Sequence, residues 1–231
     1  MAVQDTGFIG IVCGLESERR ALGADILVNP AFRVAVSGAR PDAACRMASE
    51  LASSGARLLL SWGLCGALDA GRPPGTMIIA ETVVGADGRT RKLEPLSELA
   101  ATLGATTVPR LFGSDTVIGT PHEKAALRVS SGASAVDMET HRVADAAEAA
   151  GIPAAAVRSV SDPSDRALPA LADGAVDTKG RPKILSVLWG LAKRPFDLPD
   201  LIAAGRDANA AHGALSAAAA PVTAYLERYL R

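Results

Sequence analysis

The chain has 231 residues, of which 48% are hydrophobic and only 3% aromatic, so one substantial core must be built mainly from Ala, Val, Leu and Ile. A net charge of −1 argues against nucleic-acid binding through bulk electrostatic attraction. The apolar run Phe8 to Cys13 is too short for a secretory signal or a membrane span, and three widely spaced cysteines in apolar surroundings, Cys13, Cys45 and Cys65, indicate reduced thiols in a cytoplasmic protein.

Strand and helix patterns alternate along the first half of the chain. Strands are predicted at Phe8 to Cys13, Phe32 to Val36, Arg57 to Trp62 and within the β-rich run Thr76 to Val84. Helices are predicted at Glu16 to Leu22 and at Pro41 to Ser53, which has proline near its start. The polar stretch Asp87 to Pro95 indicates a loop or a hairpin. This alternation predicts an α/β sandwich with a mainly parallel or mixed sheet.

The second half begins with a predicted strand at Ser114 to Ile118 and a helix at His122 to Val129. The stretch from Ser134 to Asp165 then predicts a short strand, a helix opened by Val136-Asp137-Met138-Glu139 and ended at Gly151, and a strand from Ala154 that stops at Asp162. Glu139 and Asp162 are thereby placed at strand–loop junctions, the edge where parallel α/β sheets bind ligands.

The tail differs in character from the rest of the chain. A polar and basic segment, Asp173 to Lys183, precedes a candidate helix at Ile184 to Lys193, whose apolar residues recur at helical spacing between basic flanks. From Leu201 to Arg231 the sequence predicts one or two Ala-rich helices, interrupted near Gly213 and Pro221.

Three local features bear on where a ligand could bind. The segment Gly63-Leu64-Cys65-Gly66 follows a strand and would allow close approach to a ligand, or it is a tight turn; no Gly-Lys-Ser/Thr follows, so it is not a P-loop. The charged residues from Glu16 to Arg20 are typical of an exposed helix face. Arg158 lies in an apolar strand and must pair with a ligand or with a carboxylate, for which Glu139, Asp162 and Asp165 are candidates.

The remaining polar residues do not indicate a metal site or a catalytic triad. The three histidines lack metal-ligand spacing, and His141 is expected at the surface. We expect no metal and no cofactor. Taken alone, these residues support a carboxylate-lined pocket for a small polar group.

Three segments together resemble the purine nucleoside phosphorylase and 5′-methylthioadenosine nucleosidase superfamily. They are IGIVCGLESE (9–18), LSWGLCGALDAG (60–71) and AVDMET…VRSVSDPSD (135–165), within a resemblance that covers roughly residues 8 to 166. The resemblance implies a three-layer α/β/α sandwich around a distorted mixed sheet. It also implies a single nucleoside phosphorylase-like domain over residues 1–231, with a divergent helical tail from 170 to 231.

The resemblance also implies roles for individual residues. Asp162 would be the acid that protonates the leaving purine, and Glu18 would orient the attacking water. Glu139 would bind the ribose hydroxyls, and Met138 would pack against the sugar. The remaining candidates are Arg158 and Ser161, which would hold the acid loop, and the substrate-binding segment Gly63, Leu64, Cys65 and Gly66.

Two departures from the family favour hydrolysis over phosphorolysis. The phosphorylases carry an arginine at the position of Ser61 and a serine at the position of Leu64, and both hold phosphate. A leucine side chain has no donor for an oxyanion. We therefore expect a nucleosidase, with a purine nucleoside phosphorylase as the alternative.

The tail resembles that of the hopanoid-associated phosphorylases, proposed to remove adenine from adenosylhopane. The implied substrate is a nucleoside with a triterpenoid on its 5′ carbon, handled by a cytoplasmic homodimer. The segment Ile184 to Leu201 would be an apolar wall or a lip that contacts the inner membrane surface peripherally, or else an ordinary core helix. Two further functions are compatible with the sequence, a methylthioadenosine/S-adenosylhomocysteine nucleosidase and a nucleoside-binding protein without turnover.

Overall fold

The computed structural model describes residues 7–168 and 198–231, apart from the side chains of Leu198 and Asp200. Ten strands within these residues form one sheet. They are β1 (Phe8–Cys13), β2 (Phe32–Val36), β3 (Ala56–Ala67), β4 (Met77–Ala80), β5 (Thr82–Gly85), β6 (Thr90–Lys92), β7 (Thr106–Val108), β8 (Leu111–Gly113), β9 (Ala135–Asp137) and β10 (Ala154–Asp162).

Helices connect most of these strands. Those of the described residues are α1 (Glu16–Ala21), α2 (Ala24–Val28), α3 (Pro41–Ser53), α4 (Ser97–Leu103), α5 (Pro121–Ser131), α6 (Thr140–Ala150) and α7 (Leu198–Leu226), and a 3₁₀ turn (Glu227–Leu230) follows the last of them. Across the described ranges, no helix is both long enough and apolar enough to pass through a bilayer.

The long strand β3 organises the sheet. It pairs in parallel with β10 along one edge, while its other edge pairs in parallel with β1 up to Ser61 and antiparallel with β9 at Gly66 and Ala67. Because β3 exchanges one neighbour for another along its length, the sheet curls. The strands β8, β5 and β6 continue beyond β9, and β4 and β7 continue beyond β10. The predicted mixed α/β fold is confirmed.

The two faces of the sheet have separate apolar cores. Successive side chains of a strand point to opposite faces, so Leu58, Leu60 and Trp62 pack with apolar residues of α1, α4 and α7. Leu59 and Ala67 point the other way and pack with the alanines of α3 and α6. Small residues on the helices let the backbones approach the sheet closely, which explains how a chain poor in aromatic residues fills three layers.

Several predicted boundaries are wrong. The strand predicted to stop at Trp62 continues through Gly63-Leu64-Cys65-Gly66, which is therefore not a turn. The predicted strand at Ser114 to Ile118 is a bend, because the Ser114 hydroxyl accepts a hydrogen bond from the Thr116 backbone and turns the chain; the strand lies earlier, at β8.

Two helices also differ from expectation. Val136 and Asp137 belong to β9, so α6 begins only at Thr140. Gly213 and Pro221 lie inside α7, which is continuous because its packing against the sheet outweighs their low helix propensity. The sequence patterns predict no element at α2, α4 or β7. The predicted helix at Ile184 to Lys193 lies outside the described residues.

Candidate active site

A cavity of about 260 Å³ lies at the carboxyl ends of β1, β3, β9 and β10. Side chains predicted from three distant parts of the sequence, Glu18, Glu139 and Asp162, all line it. The other lining residues are Gly14, Leu15, Ala39, Leu64, Cys65, Gly66, Thr116, Val117, Ile118, Val136, Asp137, Met138, Ser161 and Leu168. The sheet therefore gathers these three carboxyl groups, together with that of Asp137, at one edge of an otherwise mostly apolar cavity.

Glu18 is buried, so the interpretation of its helix as a wholly exposed charged face is wrong for this residue. Its carboxylate accepts hydrogen bonds from the backbone N–H of Leu15 at 2.7 Å and of Leu64 at 2.8 Å. The indole of Trp62 donates to its backbone carbonyl at 3.2 Å. Burial raises the pKa of Glu18, and nearby Arg158 and the backbone donors oppose that shift. The side chain is thus held rigidly at the cavity wall.

Gly63 allows this close approach between β3 and Glu18. A Cβ atom at Gly63 would lie 2.5 Å from Glu18 Oε1 and 2.7 Å from Arg158 Nη1, both closer than van der Waals contact permits. Gly63 itself does not line the cavity, whereas the three residues after it do. The absence of a side chain at Gly63 therefore leaves room for Glu18 and Arg158. The sequence predicts that Gly63 contacts the substrate, but it is not among the residues that line the cavity.

Arg158 is fully buried beneath the cavity floor and pairs with two carboxylates. Its guanidinium lies 2.6 Å from Asp137 and 3.5 Å from Glu139, and it donates to the Leu64 carbonyl at 3.3 Å. Of the expected partners, Glu139 pairs with Arg158, whereas among the described residues neither Asp162 nor Asp165 does. Asp137, the nearest partner, is not singled out by the sequence patterns, although an acidic residue at the end of an apolar strand poses the same burial problem as Arg158.

Ser61 faces the same buried cluster and not the cavity. Its hydroxyl accepts a hydrogen bond from Arg158 and lies 3.1 Å from the hydroxyl of Thr140, which itself accepts from Arg158 at 3.0 Å. Thr140 also bonds to the Asp137 carboxylate. Ser61 is therefore an internal hydroxyl and does not line the cavity.

Glu139 precedes α6 and combines burial with negative neighbours. Loss of solvent raises its pKa to about 8, Arg158 opposes the shift, and Asp137 and Glu18 add to it. Met138 lines the cavity beside it. A carboxyl group with such a pKa exchanges its proton near neutrality and can both accept hydrogen bonds from a ligand and donate them to it.

Asp162 ends β10 and has a donor at each carboxylate oxygen. The Ser161 hydroxyl donates to Oδ1 at 2.9 Å, and Lys124 Nζ lies 2.7 Å from Oδ2. Lys124 is fully buried, and no sequence signal singles it out, because a lysine in a short polar helix is normally exposed. The structure thus gives the acid candidate a cationic partner that differs from the expected arginine.

The loop after β8 forms part of the wall, which the sequence patterns do not predict. Thr116, Val117 and Ile118 all line the cavity. His141 supports this loop: it is buried, contrary to the expected surface position, and its Nε2 lies 2.9 Å from Asp115 Oδ1. The sequence patterns predict a strand at Ser114 to Ile118, in which alternate side chains would point away from the cavity. For this reason the sequence does not reveal this part of the wall.

Solved structures share this architecture. The methylthioadenosine/S-adenosylhomocysteine nucleosidase of Helicobacter pylori, in complex with an inhibitor, is 15% identical with a TM-score of 0.70 and matches 97% of this chain and 100% of its own. A putative nucleosidase of the same kind from Francisella philomiragia is 18% identical with a TM-score of 0.68, over 96% and 99% of the two chains. The futalosine hydrolase of H. pylori is 15% identical with a TM-score of 0.69, over 96% and 98%.

The protein has the fold of these nucleosidases. A family model described as the phosphorylase superfamily matches residues 99–192, which supports a place in that superfamily. No curated protein matches the chain. At these identities the solved structures establish the fold, while the chemistry depends on this chain's own cavity.

The Arg158 cluster generates a first prediction. Replacing Arg158 by Met leaves Asp137 buried without its counter-charge, and the free energy of unfolding should fall by about 3–5 kcal/mol. Urea denaturation measures the change. Arg46→Met is the control, because Arg46 pairs with Asp42 at an exposed site and should contribute about 0–1 kcal/mol. Similar losses in both variants would contradict the assigned role of Arg158.

The raised pKa of Glu139 generates a second prediction. Between its ordinary value of 4.5 and about 8, the folded protein retains a proton that the unfolded chain has released. Folding stability should therefore fall as pH rises through this window, and Glu139→Gln should flatten the decline. Urea denaturation at about pH 5 and about pH 8.5 tests this. The exposed Glu50→Gln is the control, and equal slopes for wild type and Glu139→Gln would refute the prediction.

Proposed function

We propose that the protein is a nucleosidase that hydrolyses the N-glycosidic bond of a 5′-substituted adenosine and releases adenine. The observation that carries this proposal is the convergence of Glu18, Glu139 and Asp162 on one cavity. Cleavage of this bond develops positive charge on the ribose and negative charge on the base. Carboxylates beside the ribose and an acid beside the base complement both changes.

Each carboxyl group has a distinct task in this mechanism. Asp162 donates a proton to N7 of the departing purine, which leaves as neutral adenine. Glu18 orients a water molecule toward the sugar carbon and accepts its proton, and its fixed hydrogen bonds to Leu15 and Leu64 set the direction. Glu139 binds the ribose hydroxyls. General acid catalysis of this kind typically contributes about 10²–10⁴-fold.

Water is favoured over phosphate as the nucleophile. Among the described residues that line the cavity there is no Lys, Arg or His, so a phosphate dianion would meet four carboxyl groups, those of Glu18, Asp137, Glu139 and Asp162, without a lining cation. Arg158 is paired with Asp137 and Glu139, and Ser61 bonds Arg158 in the protein interior. A phosphorylase would have to hold its second substrate with uncharged donors; of these, the Ser161 hydroxyl already donates to Asp162 and the Leu64 N–H to Glu18.

The proposed substrate is adenosylhopane, whose 5′ substituent is a large apolar triterpenoid. A second cavity of about 200 Å³ adjoins the first and shares Leu64, Ser161, Asp162 and Leu168 with it. Its wall continues along apolar residues of α7, namely Leu201, Ala204 and Ala208. Val117, at the cavity wall, is 48% exposed. An apolar substituent would bury about 0.8 kcal/mol per CH₂ group along such surfaces.

The proposed contact of the tail with the membrane or the triterpenoid concerns Ile184 to Leu201, most of which lies outside the described residues. The alternative substrates are methylthioadenosine and S-adenosylhomocysteine, which the names of two structural neighbours mention. These soluble nucleosides need the first cavity but not the apolar extension, so a comparison of substrates separates the two proposals.

A third prediction tests the activity. Purified protein should release adenine from adenosylhopane with a higher kcat/KM than from methylthioadenosine. Asp162→Asn should lower kcat by about 10²–10⁴-fold, because an amide cannot supply the proton. Asp165→Asn, an exposed neighbour in the same loop, is the control and should retain wild-type turnover. Adenine release is followed by chromatography.

Two results would contradict the proposal. Absence of adenine release from all of these nucleosides would refute the nucleosidase and favour a nucleoside-binding protein. A kcat for Asp162→Asn above about a tenth of wild type would refute the assigned acid. A preference for methylthioadenosine would keep the chemistry and reject adenosylhopane.

A further inference from the structure

Lys124 is a fully buried cation that the mechanism above does not use. It lies on α5, whose N-terminus is fixed by a capping box in which Thr120 and Glu123 bond each other's backbone N–H groups. From there its side chain reaches the end of β10. The ammonium group lies 2.7 Å from Asp162 Oδ2.

All three protons of the ammonium group have an acceptor. Beside Asp162, Nζ donates to the backbone carbonyl of Pro163 at 2.8 Å and to that of Arg166 at 3.1 Å. An ammonium has three donors and no acceptor capacity, so this set is complete. Burial of an unpaired ammonium would be very costly, and the site compensates it with one carboxylate and two carbonyl groups.

Lys124 contacts Asp162 and its loop on the side that faces away from the cavity. Lys124 contacts Oδ2 of Asp162, while Ser161 contacts Oδ1, and Lys124 does not line the cavity. The lysine therefore acts through Asp162 and cannot reach the substrate directly. The neighbouring buried cation, Arg158, is committed to Asp137 and Glu139 and has no contact with Asp162 among the described residues.

We propose that Lys124 is a positioning residue that stabilises the carboxylate formed when Asp162 gives up its proton. The inference rests on the proposed nucleosidase activity. In the step concerned, the O–H bond of Asp162 breaks and an N–H bond forms at N7, while the electron pair of the glycosidic bond passes to the base. Water adds its oxygen to the sugar carbon and its proton goes to Glu18. Lys124 keeps its protons and compensates the new negative charge on Asp162.

The test uses two leaving groups. Lys124→Met preserves an unbranched side chain without the charge, and Lys124→Gln is a second variant that retains a hydrogen-bond donor. On methylthioadenosine, kcat should fall on the order of 10²-fold in both, with KM changed by less than about threefold. On 4-nitrophenyl riboside, whose phenolate leaves without a proton, kcat should change by less than about threefold.

A double-mutant cycle with Asp162→Asn gives an independent readout. If Lys124 acts through the acid, Lys124→Met should change the residual kcat of Asp162→Asn by less than about twofold. A purely structural role, in which Lys124 only pins the carbonyls of Pro163 and Arg166, predicts the full loss in both backgrounds and on both substrates.

The outcomes distinguish a failure of the proposed role of Lys124 from a failure of the proposed nucleosidase activity. Wild-type protein that releases neither nitrophenolate nor adenine, the latter from adenosylhopane as well as methylthioadenosine, would refute the nucleosidase, and the role of Lys124 with it. Adenine release with an unchanged kcat in Lys124→Met would refute only the role of Lys124. Additive losses in the cycle would also refute it, and they would decide the matter if nitrophenyl riboside is not cleaved.

Discussion

The buried guanidinium of Arg158 is the interaction on which the site depends. It lies on β10 next to β3 and pairs with Asp137 at the end of β9 and with Glu139 at the start of α6. A charge in this position must be paired, because removal from water costs several kcal/mol per ion. The ion cluster thus ties three segments of the curled sheet together at the edge where the cavity opens.

The same cluster accounts for the electrostatics of the cavity. Asp137 and Glu139 hold Arg158 below the cavity floor, so the surface presented to a ligand is acidic and apolar. Arg158 does not offset the effect of burial on Glu139, whose pKa of about 8 reflects desolvation first and then the charges of Asp137 and Glu18. An acidic cavity suits an oxocarbenium-like ribose and water, and it opposes an anionic nucleophile. The proposal of hydrolysis therefore rests on the pairing of Arg158 with Asp137 and Glu139 below the cavity floor, which leaves the guanidinium unavailable to an anionic nucleophile.

Much of the fold and part of the site could be predicted from the sequence. Strand alternation and glycine or proline boundaries located β1, β2, α3 and β10 well, because local propensity and burial agree there. The carboxyl groups Glu18, Glu139 and Asp162 could be expected to converge through the resemblance to a nucleoside-cleaving superfamily. For Glu139 and Asp162, placement at strand–loop junctions gave that expectation a physical reason.

The missed features depend on contacts between distant segments. Lys124 is a typical surface residue by sequence, and it is buried only because α5 packs where β10 ends. The bend at Ser114 to Ile118 depends on a side-chain hydrogen bond that competes with strand pairing. By sequence Gly63 resembles a turn residue, yet it lies inside β3. A glycine is needed there because a glutamate and an arginine occupy the space that a side chain would fill.

The most direct test of the central claim, that water is the nucleophile in an acidic cavity, is phosphorus NMR of the reaction products in phosphate buffer. The initial rate of adenine release is measured in parallel as phosphate is varied. We expect free 5-substituted ribose, no sugar 1-phosphate, and a rate independent of phosphate concentration. A sugar 1-phosphate signal, or a rate that saturates with phosphate, would contradict it.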